Sequence, residues 1–176
     1  MIQHDLELVF PGGKVTEPIL CRMGRAHDVV FNIVSANVSP RRGAFTFSLI
    51  GEEKQVQAAE DFLRGQGVEV RVTRGGPPDT APPAHPRRVP RHPGEPHVAR
   101  KLWITFLDDL RREPVTWEMM QRFDITFDVR QSSTGTGVSI MAILLEGPES
   151  HVDGAIEFLR YRGAEVEPIE KSVVEG

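Results

Sequence analysis

Residues 56–70 read VQAAEDFLRGQGVEV, and residues 152–166 read VDGAIEFLRYRGAEV. The two stretches lie 96 positions apart and share the pattern Val, Ala, Phe-Leu-Arg, Gly, Glu and Val without a gap. In each, an apolar stripe at helical spacing stops at a glycine, and alternating residues follow, which indicates a helix that leads into a strand. A match of this length predicts that the chain is a tandem duplication.

The same shift extends the match to the beginning of each copy. An alternating run at 6–10, a helix opened by Pro18, two β-branched or alternating runs and the helix–strand unit recur in the same order. The order strand–helix–strand–strand–helix–strand is typical of the ferredoxin-like sandwich. The predicted fold class is therefore α+β, with two ferredoxin-like lobes, each a four-stranded antiparallel sheet with two helices on one face.

A proline-rich stretch separates the two copies. Eight of the 14 prolines lie between Pro77 and Pro96, in a stretch with almost no large apolar side chain. We therefore predict lobe 1 at residues 1–73, an extended linker at 74–97 and lobe 2 at 98–176. The linker carries a net charge of +2 and lobe 2 a net charge of -5. The linker is interpreted as a solvated spacer rather than an RNA or membrane tether, because its cations are few and no aromatic residue accompanies them.

Composition and motifs exclude several classes of protein. A single cysteine, Cys21, excludes an internal disulfide and a four-cysteine metal site. The glycine-containing turns lack the spacing of phosphate or dinucleotide loops, and no two histidines are paired along a helix. We predict no catalytic residue, no metal and no cofactor, so the chain is not expected to be an enzyme. No apolar run is long enough for a membrane span and the N-terminus lacks a secretory pattern, which predicts a cytoplasmic protein.

Strand alternation also predicts which side chains lie on the sheet surface away from the helices, here called the free face. In lobe 1 these include Val9, Val30, Asn32, Val34 and Ala36. In lobe 2 they include Trp103, Asp128, Arg130 and Leu144. This surface is too apolar to be left in water, so we expect lobe–lobe or homodimer pairing through the sheets. The predicted interface residues are Trp103, Val9 and Leu144.

The same strand alternation argues against RNA binding. The stretch 42–47 resembles the RNP1 motif of RNA-recognition domains, but its aromatic residues Phe45 and Phe47 fall on the helix-covered side. The positions that should stack on bases hold Ala44 and Thr46. No nucleic-acid partner is predicted.

The motifs of lobe 1 resemble the NIL domain, a small ACT-like regulatory domain at the C-terminus of the ATP-binding subunit of methionine ABC importers. The resemblance rests on Phe10 at the end of a strand, Pro18 at the start of a helix, and Asn32-Ile33-Val34 in place of the Asn-Ile-Leu motif. It implies a domain that pairs with a copy of itself, binds methionine near the shared sheet surface and thereby inhibits transport. The sequence contains no ATPase domain, so transport itself is not implied.

The resemblance also implies a set of ligand-binding residues. The Asn32 amide would contact the charged groups of an amino acid, while Val30, Val34 and Ala36 would offer an apolar surface. Alternatively, Asn32 only forms a hydrogen bond across a lobe interface. In lobe 2, Asp128 and Arg130 replace the motif; they would either grip the two charges of an amino acid or pair with each other.

Two functions remain open at the level of sequence. In the first, the chain is a non-catalytic sensor of a small amino acid, methionine or a related sulfur compound, and a transporter or a metabolic enzyme is its downstream partner. In the second, it is an interaction module that binds another protein through the same sheet faces and holds no ligand.

Overall fold

The computed structural model describes residues 1–169, and its elements follow the duplicated order. Lobe 1 comprises β1 (Ile2–Pro11), α1 (Ile19–Ala26), β2 (Val29–Ser39), β3 (Arg42–Gly51), α2 (Glu53–Gly65) and β4 (Glu69–Gly76). Lobe 2 comprises β5 (His97–Leu107), the short α3 (Asp108–Arg111), α4 (Val115–Arg122), β6 (Thr126–Gly135), β7 (Val138–Pro148), α5 (Glu149–Tyr161) and β8 (Glu165–Pro168). The predicted α+β class with two ferredoxin-like lobes is confirmed.

The strands form one eight-stranded sheet with the order β4-β1-β3-β2-β6-β7-β5-β8. Each half has the strand order of a ferredoxin-like sheet, and the edge strands β2 and β6 join the halves in antiparallel fashion at Val38 and Ser132. The lobes therefore meet edge to edge. The expectation that the sheet of one lobe would cover the free face of the other is wrong for these two lobes, because an edge-to-edge junction leaves the sheets side by side rather than stacked.

The core lies between the sheet and the helices. The strand side chains that alternation assigns to this side are all buried, including Leu6, Leu8 and Phe10 in lobe 1 and their counterparts Leu102, Ile104 and Phe106 in lobe 2. Each large apolar side chain taken out of water in this way contributes about 1.5–3 kcal/mol. This burial is what holds the helices on one side of the sheet.

A β-bulge occurs at the same place in both copies and changes the alternation. The register of β2 against β3 shifts between Ile33 and Ser35, and that of β6 against β7 shifts between Val129 and Gln131. Beyond the bulge, Ala36 pairs with Phe45 and is fully buried on the helix-covered side. The expected position of Ala36 on the free face is therefore wrong, because the extra residue in the bulge reverses the faces of everything that follows it.

The proline-rich residues 77–96, here called the strap, contain no helix or strand but are not free in solvent. The backbone N–H of Val89 donates to the Arg122 carbonyl at 2.7 Å, and Pro82 and Pro86 are half-buried. The strap thus packs on both lobes, which differs from the solvated spacer that its composition suggested.

Among residues 1–169, none of the helices combines the length and the apolar character that crossing a bilayer requires.

Candidate ligand site on the free face of lobe 1

A cavity of about 560 Å³ lies on the free face of lobe 1. Side chains of β1, β2 and β3 form its floor, and residues 79–83 of the strap roof it at one end. Arg112 and Pro114, from the connection between α3 and α4 of lobe 2, close it at the edge of β2. The cavity is therefore built from three separate parts of the chain that meet only in the folded molecule.

The strap end of the cavity is acidic and tightly hydrogen-bonded. Gln3 donates from Nε2 to Asp5 Oδ1 at 2.9 Å and to Asp79 Oδ2 at 3.1 Å, and the Asp79 backbone N–H donates to Gln3 Oε1 at 2.9 Å. The Arg74 guanidinium hydrogen-bonds to Asp79 and lowers the pKa of that carboxyl group. Two carboxyl groups thus lie beside a single paired guanidinium, an arrangement that can accept hydrogen bonds from an ammonium group.

Asn32 lies on the cavity wall next to the lobe junction. Its Nδ2 donates to the Arg111 carbonyl of lobe 2 at 3.0 Å, so the hydrogen bond that we considered as an alternative role is present. The same side chain lines the cavity, together with Val30 and Val34, whereas Ala36 lies on the other side of the sheet. The structure thus brings together three of the four predicted lobe 1 residues.

Sequence reasoning missed the charged groups of this cavity. The alternation of side chains along β1 places Gln3 and Asp5 on the free face, so the sequence alone could have identified these two residues. Nothing in the sequence indicates that Asp79 folds back onto Gln3, or that Arg112 of lobe 2 reaches the edge of β2. Both contacts depend on the path of the chain between elements.

A model of the NIL domain matches the chain twice, at residues 4–72 and 101–168. The chain belongs to the NIL domain family. The family assigned by resemblance is confirmed for both lobes, including lobe 2, where the Asn-Ile-Leu motif is replaced.

One NIL-containing relative is the methionine import ATP-binding protein MetN of Cupriavidus metallidurans. It is 37% identical over 71 residues, which cover 38% of this chain and 21% of MetN. The chain thus spans about a fifth of the length of that relative. Solved structures match over nearly the whole chain at low scores: a proposed glycine cleavage system transcriptional repressor (11% identity, TM-score 0.32, 97% of this chain and 99% of that one) and a microcompartment protein from Desulfitobacterium hafniense (16% identity, TM-score 0.31, 99% and 98%). TM-scores this low do not establish a relationship between these structures and this chain.

The corresponding site of the second NIL repeat is occupied by an ion pair. Arg130 Nε lies 2.5 Å from Asp128 Oδ1, and Asp128 is only 8% exposed. Burial raises the pKa of Asp128, and the hydrogen bond and charge of Arg130 oppose this rise. In the folded chain the two side chains therefore pair with each other.

Where β2 and β6 diverge, helix α1 of the first NIL repeat covers the edge of β6. The Phe127 backbone N–H donates to Cys21 Sγ at 3.3 Å, and Sγ lies 3.6 Å from the Phe127 carbonyl oxygen. Burial raises the pKa of Cys21 to about 12, which keeps the thiol protonated at neutral pH. Cys21 is thus a structural link between the two repeats.

The predicted interface residues lie on the free faces of the two NIL repeats. Trp103 pairs with Ala142 and Glu167, Leu144 pairs with Lys101 and Asp128, and Val9 pairs with Ala44 and Glu69. Trp103, Leu144 and Val9 are all half-buried. Their burial by a second chain stays a prediction.

Proposed function

We propose that this chain is a non-catalytic regulator that binds a small amino acid, methionine or a related sulfur compound, in the cavity of lobe 1. The supporting observation is a cavity lined by charged groups of both signs and by Asn32, the residue at the first position of the family motif. An α-amino acid carries an ammonium and a carboxylate a few ångströms apart, so it needs groups of both signs. The related MetN is a methionine import protein, which makes methionine the first ligand to test.

Each end of such a ligand has a suitable partner. Asp5 and Asp79 accept hydrogen bonds from the ammonium, and Arg112 with the Asn32 amide attracts the carboxylate. Val30 and Val34 offer an apolar surface to a thioether side chain. Because the cavity walls come from the lobe 1 sheet, the strap and lobe 2, a ligand that touches all three stabilises their mutual arrangement. A transporter or a metabolic enzyme in the cytoplasm would bind the chain differently in that arrangement and so respond to the ligand.

A thermal-shift screen of the twenty amino acids and homocysteine tests this function. A ligand at 100 times its Kd adds about 2.7 kcal/mol to the free energy of unfolding, which raises Tm by about 5–10 °C for a chain of this size. We expect methionine or homocysteine to give such a shift, and Asn32→Ala to remove it while leaving the fold intact. The matched control is Asn37→Ala, because Asn37 is an exposed amide on the same strand, away from the cavity.

Two results would contradict the proposal in different ways. If none of these compounds changes Tm, amino-acid sensing is wrong and the chain is better described as an interaction module. If the shift persists in Asn32→Ala, the ligand binds elsewhere and Asn32 serves only the lobe junction.

A further inference from the structure

The free faces of the two lobes have diverged in chemical character. At equivalent strand positions, lobe 1 has Glu7 and Ser48 where lobe 2 has Trp103 and Leu144. Glu7 forms an ion pair with Arg71 on β4, whereas Trp103 lies beside Glu167 at the same place in β8. Two more apolar side chains extend this strip: Ile140 is 38% exposed and Leu107 is 57% exposed. Lobe 2 thus presents an apolar strip that includes Trp103 and Leu144, at the two positions where lobe 1 is polar.

The rim of this strip is acidic. Strand register places four acids and one base on this face: Asp128, Glu146, Glu165, Glu167 and Lys101. Arg130, in the bulge of β6, pairs with Asp128, so the net charge of the six groups is -2. Asp128 pairs with Arg130, and Glu146 Oε2 lies 3.7 Å from His97 Nε2. The acidic groups nearest Trp103 are therefore Glu165 and Glu167. Glu165 and Glu167 are both exposed on the edge strand β8. A basic partner fits this rim, whereas two copies of the same face would repel each other.

Lobe 1 shows what kind of chain such a face accommodates. Its own free face is bordered at one end by the strap, which is held to the sheet by the hydrogen bonds between Asp79 and Gln3, and Pro82 and Pro83 line the cavity there. The strap has no helix or strand, and its second half carries Arg87, Arg88 and Arg91. An extended proline-rich segment held beside the free face of a lobe is therefore already present once in this molecule.

We propose that the free face of lobe 2 is a docking surface for an extended, proline-rich, arginine-containing segment of a partner protein. Prolines of a polyproline helix dock on aromatic side chains and lose little conformational entropy on binding, and Trp103 supplies such a platform beside Leu144 and Ile140. Arginines of the segment pair with Glu165 and Glu167 at the edge. This surface is separate from the cavity of lobe 1, so its occupation does not depend on the amino-acid ligand.

A peptide with the sequence of residues 81–93 (APPAHPRRVPRHP) has the required chemistry and is the probe. Fluorescence anisotropy of the labelled peptide, titrated with the full chain, should show saturable binding that weakens as salt increases. Trp103→Ala should raise Kd at least tenfold, and Glu165→Gln combined with Glu167→Gln should raise Kd and reduce the salt dependence. Glu7→Ala, at the equivalent position of lobe 1, should leave Kd unchanged.

Controls separate loss of the surface from loss of the fold. Leu144→Ser introduces the residue of the equivalent lobe 1 position and should also weaken binding, with an unchanged circular dichroism spectrum and Tm. A peptide with glutamine in place of every arginine should bind more weakly to the unmodified chain.

Three results would overturn the proposal. Binding that is insensitive to Trp103→Ala would place the peptide elsewhere, such as on the surface that the strap itself occupies. A dimer that forms through this face and is dissociated by Trp103→Ala would identify a second copy as the occupant. Binding that is seen only after residues 170–176 are removed would identify that segment of the chain as the occupant.

Discussion

Asn32 and Asp128 occupy the same strand position in the two repeats but lie in different electrostatic surroundings. The Asn32 amide bridges to a lobe 2 carbonyl and borders the cavity, without introducing a charge. The Asp128 carboxylate is buried, and the charge of Arg130 offsets the cost of removing that carboxylate from water. A neutral amide costs less to desolvate than a carboxylate and can form hydrogen bonds with either end of a zwitterion, whereas a buried ion pair resists the entry of a third charge. We expect this difference to disfavour an amino-acid site in lobe 2.

The buried carboxylate predicts a pH dependence of stability. Because burial raises the pKa of Asp128, the folded state holds the proton more tightly than the unfolded chain at pH values between the ordinary aspartate pKa of about 4 and the raised one. The free energy of unfolding should therefore fall as the pH rises through this window. Asp128→Asn should flatten this part of the profile, as measured by urea unfolding at a series of pH values. Asp153→Asn, on the exposed side of α5, is the control for removal of one carboxylate; an unchanged slope in Asp128→Asn would contradict the prediction.

Most elements of the fold could be predicted from the sequence, because period-2 and helical patterns reflect local geometry. The alternation at 6–10 and the helix ended by Gly67 both appear in the structure where the pattern indicates them. The bulge at Val34 could not be predicted, since the local sequence contains neither glycine nor proline and the irregularity is visible only in the pairing with β3. Because the bulge reverses the side-chain direction beyond it, strand alternation assigned Ala36 to the wrong face of the sheet.

The strap shows a second limit of sequence reasoning. Residues 77–96 contain no helix or strand, but their composition does not say which surface that chain lies on. Its path is set by a few polar contacts with residues far away in sequence, such as that of Asp79 with Gln3. For the same reason, the sequence could predict the sheet residues of the lobe 1 cavity, such as Val30 and Asn32, but not the strap residues that cover one end of it.

The anchoring of the strap can be tested at Gln3. This side chain is 8% exposed, and it both donates to the Asp79 carboxylate and accepts from the Asp79 backbone N–H. Gln3→Ala should release this end of the strap, so hydrogen exchange of the Asp79 amide should accelerate at least tenfold. The Val89 amide, held by the Arg122 carbonyl, should keep its exchange rate. Gln57→Ala, an exposed glutamine on α2, is the control; an unaltered Asp79 rate in Gln3→Ala would show that the roof is held by other contacts.

At the scale of the whole molecule, side chains do more than strand pairing to join the lobes. The ladder between β2 and β6 has a single paired position, at Val38 and Ser132. Around it, the Ser132 hydroxyl donates to the Ala36 carbonyl, and the Thr134 hydroxyl oxygen accepts from the Ala36 N–H at 3.2 Å. A lobe of about 75 residues buries a modest share of its surface, so such shared contacts matter for stability. The two repeats are therefore expected to fold as one cooperative unit.

Gly24 is where this expectation can be tested most directly. A Cβ atom at this position of α1 would lie 2.7 Å from Met120 Cε in α4 and 3.0 Å from Phe31 Cε2, so the Met120 side chain fills the space beside residue 24 and a larger residue there would have to displace it. Gly24→Leu should force α1 and α4 apart and destabilise the chain by about 1–3 kcal/mol, as overpacking typically does. Gly65→Leu is the matched control, because a Cβ at Gly65 meets no atom within 4 Å.

Urea unfolding followed by two probes measures whether the lobes separate. Both tryptophans, Trp103 and Trp117, belong to lobe 2, so their fluorescence reports on lobe 2 alone, whereas far-ultraviolet circular dichroism reports on both lobes. In the unmodified chain and in Gly65→Leu the two curves should coincide, as expected for a single cooperative transition. In Gly24→Leu they should separate, because lobes that no longer pack through α1 and α4 unfold independently. Coincident curves with an unchanged midpoint in Gly24→Leu would instead show that the sheet junction at Val38 and Ser132 couples the lobes without the helices.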